Sequence, residues 1–458
     1  MRRKNCCDLN GVVYLKAAPP NKSVHSGSCR SVEMARLLSL LVATLLWLHV
    51  ANSQQVQSED RLIFAHVLYR HGDRTPIDPY PNDPWKDPAH WTAGWGQLTN
   101  DGKHRHLELG RWLRKRYGSL LGATYTNNEI YVRSTDVDRT LMSAESNLAG
   151  LYPPVGPDQW DAAIQWQPIP VHTVPEELDE VLAAKKPCSA FDLELKKYKH
   201  TDEFQAYNKS LEPLYEYVTA HSGRTVDSLT SAQNIYSCLH IEELNNFTLP
   251  AWTAKVYPEP LRSISAKSFA TKTNTPLMAR LKAGPLVKEI LERFRTKLHR
   301  KLKPDRSVWV YSAHDTTVAN LLNALRVFDL HNPPFAACVL LELRQPSGGA
   351  EPYVSVYYKN SSAEPTLLTV LNCGQRCPLS QTFKVYQDIL PESWKRECQV
   401  SFLSLTYVEA DVGTSGGMIG LVLVASVAVL GLVIALLTLY RRRRGGYHND
   451  KWYLRIDG

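Results

Sequence analysis

An apolar segment near the C-terminus places the strongest constraint on how this chain can fold. Residues 419–439 form a run of 21 without one ionisable side chain, and four arginines follow at 441–444. At a rise of about 1.5 Å per helical residue, this run would extend over roughly 31 Å, which matches the hydrocarbon core of a bilayer. We therefore predict one transmembrane helix at 418–440, with the arginines on the cytosolic side.

The N-terminal region has the features of a secretory signal. Arg36 precedes an apolar run at 37–50, and small residues follow at 51–53. A basic segment, an apolar segment and small residues in this order are typical of a cleaved signal peptide, and we place the cut after Ser53. Residues 1–33 either extend the basic segment or reflect an upstream start that is not always used, so they are left out of the fold prediction.

These two segments together predict the topology. A cleaved signal followed by one stop-transfer helix places the body of the chain outside the cytosol. We expect a single-pass type I membrane protein of the lysosomal or endosomal membrane, or of the cell surface. The predicted regions are an N-terminal extension and signal peptide (1–53), a lumenal or extracellular domain (54–398), a stalk (399–417), the transmembrane helix (418–440) and a cytosolic tail (441–458).

The positive charge of the chain is confined to its two ends. The net charge is +8, but residues 37–440 hold 40 basic and 41 acidic side chains. A nucleic-acid-binding domain would concentrate basic residues on its folded body. We therefore expect no nucleic-acid partner.

Cysteine usage agrees with an oxidising compartment. Six of the nine cysteines fall within 54–398, and an even number in a secreted body suggests three disulfides, with fifteen connectivities possible. A metal site is disfavoured, because Cys373 and Cys377 have no second close pair that would complete a tetrahedral set. The six are Cys188, Cys238, Cys338, Cys373, Cys377 and Cys398. N-glycosylation sequons of the same compartment begin at Asn208, Asn246 and Asn360.

The body alternates strand-like and helix-like patterns. Short apolar runs at 62–69, 130–132 and 307–311 each lead into a polar turn, and apolar residues at helical spacing follow at 99–121, 137–151 and 316–328. Two later runs, 337–343 and 353–358, are further strand candidates. This alternation predicts an α/β fold, with a sheet covered by helices on both faces. We expect its core at 60–174 and 304–398, and a smaller, mostly helical subdomain inserted at 175–303.

Charged residues cluster where the predicted strands end, which is where ligands of such sheets bind. Guanidinium groups have a planar fork that matches phosphate oxygens two at a time, so converging arginines suit a phosphate dianion. Their charge also does what a metal ion does in many phosphoryl-transfer enzymes, so we expect no metal and no cofactor. The strand-end residues are Arg70, His71, Arg74, Arg133, His314 and Asp315.

This residue set suggests a covalent mechanism. A neutral imidazole can attack phosphorus and form a covalent intermediate, which divides one difficult displacement into two easier ones. The leaving alkoxide then needs a proton, and Asp315 is the available carboxyl group. A carboxyl group donates a proton only while it is protonated, so we expect activity in an acidic compartment.

Three segments resemble the histidine acid phosphatase family. Residues 70–76 read RHGDRTP and residues 311–315 read YSAHD, which are similar to the two motifs of that family. Residues 131–142, YVRSTDVDRTLM, narrow the resemblance to the animal prostatic and lysosomal type. The similarity extends from about Arg61 to Cys398. It implies an acid phosphatase with a phosphoglycerate-mutase-like core, which acts on phosphate monoesters.

The resemblance also assigns roles to residues. It implies that His71 is the nucleophile and Asp315 the proton donor, and that phosphate is bound by Arg70, Arg74, Arg133 and His314. It implies disulfides Cys188–Cys398, Cys238–Cys338 and Cys373–Cys377, and a possible homodimer.

Arg139 is expected to brace Arg133 or to cap its turn rather than to touch substrate. His104 and His106 are expected on a solvated helix face.

Two other functions stay open. An enzyme with the same mechanism could be specialised for phosphotyrosine proteins, nucleotides or lysophospholipids, and the sequence does not separate these substrates. A membrane glycoprotein with a mainly adhesive or signalling role would be expected to have lost the nucleophile or the acid, yet both are present. In the tail, Tyr453 followed by Ile456 fits a signal for endocytosis and lysosomal delivery.

Overall fold

A computed structural model describes residues 60–400 and 417–445. The predicted signal peptide, nearly all of the predicted stalk and the sorting motif at Tyr453 and Ile456 lie outside these ranges. The described residues therefore comprise the body of the chain and one C-terminal helix.

The body is built on one mixed sheet, whose strand order is β2-β3-β1-β4-β5-β6, with β7 also paired to β5. Strands β2, β3 and β1 run parallel, whereas β4 pairs antiparallel with both β1 and β5. Each of the five predicted strands is present. The strands are β1 (Arg61–Arg70), β2 (Ile130–Ser134), β3 (Val308–Ala313), β4 (Cys338–Gln345), β5 (Tyr353–Lys359), β6 (Thr366–Leu368) and β7 (Cys377–Pro378).

Helices make up most of the remaining described chain. The three helices predicted to follow the parallel strands are present as α1, α2 and α10. The α-helices are α1 (Asn100–Arg116), α2 (Asp138–Leu151), α3 (Ser189–Lys199), α4 (Asp202–Ser210), α5 (Glu212–Ser222), α6 (Leu229–Leu244), α7 (Leu261–Thr271), α8 (Pro276–Lys282), α9 (Gly284–Leu298), α10 (Asp315–Ala324), α11 (Leu379–Val385), α12 (Trp394–Glu397) and α13 (Gly417–Gly445). Short 3-10 helices lie at Pro88–His90, Gly156–Asp158, Glu176–Leu178, Ala251–Lys255 and Gln387–Ile389.

Strand β1 is buried on both of its faces, because side chains alternate across a sheet. Phe64 and Leu68 belong to one hydrophobic cluster, whereas Ala65, Val67 and Tyr69 belong to another. The sequence of this strand is therefore almost continuously apolar rather than alternating.

The two clusters lie against different helices. On one face, Leu286 of α9 and Leu321 of α10 pack with the sheet. On the other face, Leu113 of α1 and Leu148 of α2 do so. The prediction of a sheet covered by helices on both faces is confirmed.

The region predicted as a helical insert contains α3 to α9 and, among the described residues, no strand. Part of it has a core of its own, in which Val218 of α5, Leu239 of α6 and Ile264 of α7 are buried. This separate core is consistent with the prediction of a smaller helical subdomain.

Two of the three predicted disulfides are present. Cys188 is bonded to Cys398 and Cys373 to Cys377. The third pairing is wrong, because Cys238 and Cys338 are both free and buried. Cys238 lies on α6 in the core of the insert, whereas Cys338 begins β4 and packs with the α1 and α2 face of the sheet.

The three predicted glycosylation sites differ in exposure. Asn246 and Asn360 are exposed, and Asn208 is half-buried on α4. The side-chain oxygen of Asn208 accepts a hydrogen bond from the Tyr215 hydroxyl at 3.1 Å. Glycosylation at all three stays a prediction.

The predicted transmembrane segment, 418–440, lies within helix α13. Among the residues that the structure describes, however, no helix is found to be both long and apolar enough to cross a bilayer. The transmembrane span stays a prediction from the sequence.

Candidate active site

The ends of two adjacent parallel strands bring the two predicted motifs together. Arg70 at the end of β1 lies opposite Ala313 at the end of β3. The backbone N–H of His71 donates to the Ala313 carbonyl at 2.8 Å. The imidazole rings of His71 and His314 consequently lie 5.6 Å apart between centroids. Residues separated by more than two hundred positions in the chain share one site.

A glycine follows His71 because a helix approaches the backbone closely at that point. A Cβ atom on Gly72 would lie 2.4 Å from the carbonyl oxygen of Gly102, near the start of α1. The N–H of Gly72 donates to the Ser143 hydroxyl of α2 at 3.1 Å. These contacts fix the turn that carries His71.

The tautomer of His71 is set by its own turn. Nδ1 lies 2.8 Å from the Gly72 carbonyl, which can only accept, so Nδ1 carries the proton. In the neutral ring, Nε2 then has a free lone pair. Burial lowers the pKa of His71 well below its ordinary value, and the charges of Arg70 and Arg139 lower it further. The ring therefore stays neutral, and hence nucleophilic, in mildly acidic solution.

Arg70 links the first strand end to the proposed acid. Its Nη2 lies 2.9 Å from Oδ2 of Asp315, and its Nη1 donates to the Pro333 carbonyl at 2.5 Å. The guanidinium carbon also lies 4.0 Å from the centroid of the Phe335 ring. These contacts hold Arg70 in one orientation.

Asp315 begins helix α10, and the N–H of Thr316 donates to its Oδ1 at 2.7 Å. Burial raises the pKa of Asp315, but the charges of Arg70 and Arg74 outweigh that effect, so the pKa lies below its ordinary value. Without a bound anion, this carboxyl group is ionised and is the counterion of the arginines.

Arg74 is held partly by the helical insert. Its Nη1 donates to the Thr75 carbonyl at 3.0 Å, and its Nη2 donates to the Ser237 hydroxyl of α6 at 3.2 Å. Burial lowers the pKa of Arg74 to about 9, and the neighbouring charge of Arg70 adds to this. The insert therefore contributes directly to the positioning of one arginine of the site.

The structure does not bring Arg133 into this cluster. Its Nη2 donates to the buried carboxylate of Asp179 at 2.6 Å, and its Nη1 lies 3.9 Å from Glu289 of α9. Val132, the preceding residue of β2, packs on the α1 and α2 face, so Arg133 points to the opposite face. This geometry gives no support to the predicted phosphate-binding role of Arg133, which stays a prediction.

Arg139 is the third arginine of the site, and the expectation that it would only brace a turn is corrected. It lies in the first turn of α2, and its Nη2 is 3.5 Å from Nδ1 of His314. It is also among the charges that lower the pKa of His71. The signal was available in the sequence, since a residue in the first turn of a helix that follows a strand lies at the same sheet edge as the strand end.

His314 is positioned from both sides. Its Nε2 lies 3.0 Å from the Thr135 hydroxyl, and Arg139 donates weakly to its Nδ1, so Nε2 carries the proton. Burial lowers the pKa of His314 to about 3, and the charge of Arg139 contributes. In this arrangement the single N–H of the neutral ring is directed at the Thr135 hydroxyl.

The three arginines have donors left over. Their Nε atoms are buried and have no hydrogen-bond partner among the described residues. One carboxylate, that of Asp315, faces three guanidinium groups that are charged in acidic solution, so the site lacks negative charge. An oxyanion with several acceptor oxygens would supply both the missing charge and the missing acceptors. The three arginines whose Nε atoms lack partners are Arg70, Arg74 and Arg139.

His106 of α1 supports the site, although the sequence predicted it on a solvated helix face. It is completely buried rather than solvated, and its Nε2 lies 3.1 Å from the Arg70 carbonyl, to which it donates. Leu109 and Leu113 follow it at helical spacing on the same buried face. That spacing could have identified His106 as buried. His104 is exposed, as expected.

Comparisons with known proteins bear on the whole body of the chain. The model of the histidine phosphatase superfamily (branch 2) matches residues 61–359. The chain is 35% identical over 395 residues to a lysosomal acid phosphatase of Rattus norvegicus, covering 85% of this chain and 90% of the relative. It is 37% identical over 380 residues to a prostatic acid phosphatase of Homo sapiens, covering 80% and 95%.

Solved structures share the fold at much lower identity. A phytase of Hafnia alvei in complex with tartrate superposes with a TM-score of 0.57 at 18% identity, covering 75% of this chain and all of that chain. The phytase of Klebsiella sp. ASR1 gives a TM-score of 0.56 at 19% identity, with the same coverage. At these identities the likeness concerns the fold alone.

Proposed function

The chain belongs to branch 2 of the histidine phosphatase superfamily, and from this premise we propose which of its residues carry out the reaction. The relatives that the chain matches over most of their length are acid phosphatases. The chain is itself an acid phosphatase that hydrolyses phosphate monoesters. The roles of individual residues, given below, rest on the geometry of the site.

In the proposed first step, Nε2 of His71 attacks phosphorus and the bond from phosphorus to the ester oxygen breaks. The single observation that carries this assignment is the hydrogen bond from Nδ1 to the Gly72 carbonyl, which leaves Nε2 unprotonated and available. Asp315 gives its proton to the departing oxygen, so that an alcohol leaves and a phosphohistidine remains.

In the second step, water attacks the phosphohistidine. Asp315, now ionised, takes a proton from that water, the bond between phosphorus and Nε2 breaks, and inorganic phosphate is released. His71 returns to its neutral form and Asp315 to its protonated form. The same carboxyl group thus acts first as acid and then as base.

The phosphoryl oxygens are proposed to bind Arg70, Arg74 and Arg139. His314 would donate to phosphate only by giving up its hydrogen bond to the Thr135 hydroxyl. Three guanidinium groups neutralise the charge that spreads over the equatorial oxygens during transfer. These side chains supply that charge themselves, and the absence of a cofactor stays a prediction.

Asp315 is proposed to become a proton donor only when substrate binds. Without an anion, Arg70 keeps this carboxylate ionised at 2.9 Å. A phosphate group among the arginines would compete with Asp315 for Arg70, and a second negative charge nearby would raise the pKa of Asp315. Binding in acidic solution would therefore be accompanied by protonation of the acid.

The test of this assignment is the replacement His71→Ala in the full-length protein. Release of phosphate from an aryl phosphate at mildly acidic pH should fall to background, whereas the exposed control His104→Ala should keep wild-type turnover. Retained turnover in His71→Ala would exclude His71 as the nucleophile.

The location is proposed from the sequence together with the relatives, which are lysosomal and prostatic enzymes. We propose a type I membrane protein with a lumenal or extracellular catalytic domain and a helix at 418–440. Tyr453 and Ile456 would direct it to lysosomes, so Tyr453→Ala should increase the fraction labelled by surface biotinylation. A homodimer is proposed on family likeness alone.

A further inference from the structure

A buried cluster apart from the catalytic residues joins one thiol to two carboxyl groups. Asp83, Cys238 and Glu242 are exposed by 1%, 4% and 0%. One ligand atom from each lies within 4.8 Å of the corresponding atoms of the other two. The thiol of Cys238 is 3.8 Å from Oδ2 of Asp83. Bonds of about 2.0–2.3 Å to one zinc ion would put neighbouring ligand atoms roughly 3–4 Å apart. Small movements of the three side chains would therefore bring their ligand atoms to coordination distance from one ion.

Three polar atoms at this cluster, both carboxylate oxygens of Glu242 and the Tyr80 hydroxyl, lack partners among the described residues. Both carboxylate oxygens of Glu242 are buried and accept no hydrogen bond within the described ranges. The Tyr80 hydroxyl is a second, independent sign: it is also buried and unpartnered. The groups that act electrostatically on this hydroxyl are Glu242, Asp83 and Cys238. Glu242 and Tyr80 therefore bring three unpartnered polar atoms to a cluster in which Asp83 already accepts hydrogen bonds from the Trp85 N–H and the Cys238 thiol.

The charges of the cluster need compensation. In their ligating forms, Asp83, Cys238 and Glu242 carry three negative charges, and no arginine or lysine pairs with Glu242 in the part of the chain that the structure describes. Either protons or a metal cation must hold these groups together.

We propose that Asp83, Cys238 and Glu242 bind one Zn²⁺ ion. A thiolate selects against Mg²⁺ and Ca²⁺, whereas zinc accepts sulfur and carboxylate oxygen in one tetrahedral set. Tyr80 or a water molecule would complete the fourth position. Because Cys338 lies in another cluster, Cys238 is not engaged in a disulfide and its sulfur is available.

The position of the cluster indicates a structural role. Asp83 lies on the segment after β1, and Cys238 and Glu242 lie on α6. Ser237, the residue before Cys238, accepts the hydrogen bond from Arg74. A cavity of about 240 Å³ is lined by both Arg74 and Cys238. The zinc ion would hold α6 against the strand end and so fix Arg74.

The proposal is tested on full-length protein in detergent, with Co²⁺ as the probe. Wild type is stripped with chelator, loaded with Co²⁺ and examined for the near-ultraviolet charge-transfer absorption of a cobalt–thiolate bond. Zinc per chain is measured separately by mass spectrometry on protein purified without chelator. We expect about one zinc per chain and a cobalt–thiolate band.

Two variants and a control make the test specific. Cys238→Ser should lose the cobalt–thiolate band, and Glu242→Gln should lower bound zinc at least fivefold. Cys338→Ser, which removes the other buried free thiol, should change neither readout. If the two cluster variants fail to fold, the wild-type band and its retention in Cys338→Ser still decide the question.

The proposal is overturned if folded wild type binds less than a tenth of an equivalent of zinc after dialysis against Zn²⁺ and shows no cobalt–thiolate band. That result would mean that the two carboxyl groups share protons instead. A band that persists in Cys238→Ser would equally exclude this site.

Discussion

Arg70 and Asp315 form an ion pair, with Nη2 of the arginine 2.9 Å from Oδ2 of the carboxylate. The pair joins the end of β1 to the start of α10. In the proposed reaction, the phosphate group replaces Asp315 as the main anion beside Arg70. The same contact therefore keeps the acid ionised in the free protein and allows it to take up a proton when substrate binds.

Replacement of the acid should affect poor leaving groups most. In Asp315→Asn the fold and the arginines remain, but no proton can be donated. We expect kcat on an alkyl phosphate to fall by about 10²–10⁴-fold, and kcat on p-nitrophenyl phosphate to fall much less, because nitrophenolate leaves without help. An equal loss on both substrates would argue against general acid catalysis by Asp315.

Replacement of Arg139 and replacement of Arg133 should have different effects on phosphate binding. Arg139→Ala should lower kcat/KM by about 10–100-fold and weaken inhibition by inorganic phosphate, since a charged hydrogen bond of about 1.5–3 kcal/mol is lost. Arg133→Ala should leave phosphate inhibition nearly unchanged and lower thermal stability, because it leaves Asp179 buried and unpaired. If Arg133→Ala weakened inhibition by phosphate and Arg139→Ala did not, Arg133 rather than Arg139 would be the residue that binds phosphate.

Gly72 should not tolerate a side chain. Its Cβ would meet backbone atoms of Gly102, so Gly72→Ala should destabilise the protein by about 1–3 kcal/mol and displace His71. Gly118→Ala is the control, because its nearest neighbour would lie at an ordinary 3.4 Å. Denaturant unfolding with activity assays compares the two, and equal stability of the variants would contradict the close packing of α1.

Buried His106 should make stability depend on pH. Burial lowers its pKa to about 3, from an ordinary value near 6.5. Between these values the unfolded chain binds a proton that the folded chain does not, so stability falls as pH falls below about 6.5. In His106→Asn the loss of unfolding free energy from pH 7 to pH 4 should be smaller than in wild type, by on the order of 3 kcal/mol. The exposed control His104→Asn should match wild type, and an unchanged slope in His106→Asn would contradict a neutral buried His106.

The number of free cysteines in the structure can be checked by titrating thiols. Denatured, unreduced mature protein should release colour equivalent to two thiols per chain with Ellman's reagent, from Cys238 and Cys338. The Cys238→Ser variant should give one. A count near zero would mean that these two cysteines are bonded in a third disulfide after all.

The sequence predicted the sheet and most of the site because both depend on local pattern. Short apolar runs that end in charge identified β1 and β3, and parallel strands end at one edge, so His71 and His314 had to be neighbours. These inferences needed only the period of side chains and the direction of strands.

The errors came from contacts that a linear pattern does not encode. Arg133 ends its strand as the prediction required, but alternation turns it toward Asp179, whereas Arg139 reaches the site from the following helix. The pairing of Cys238 with Cys338 came from the family resemblance, and it depends on how the insert packs against the sheet. The position of Arg139 in the first turn of α2 could have indicated its place at the site, whereas the packing of the insert could not be inferred from spacing.

The central claim is that phosphorus becomes bonded to Nε2 of His71. Its most direct test is a rapid alkaline quench of full-length protein with ³²P-labelled substrate, followed by peptide mapping at alkaline pH, under which phosphohistidine survives. We predict label on the peptide that contains His71 and none in His71→Ala. Label on any other residue, or undiminished label in His71→Ala, would contradict the account.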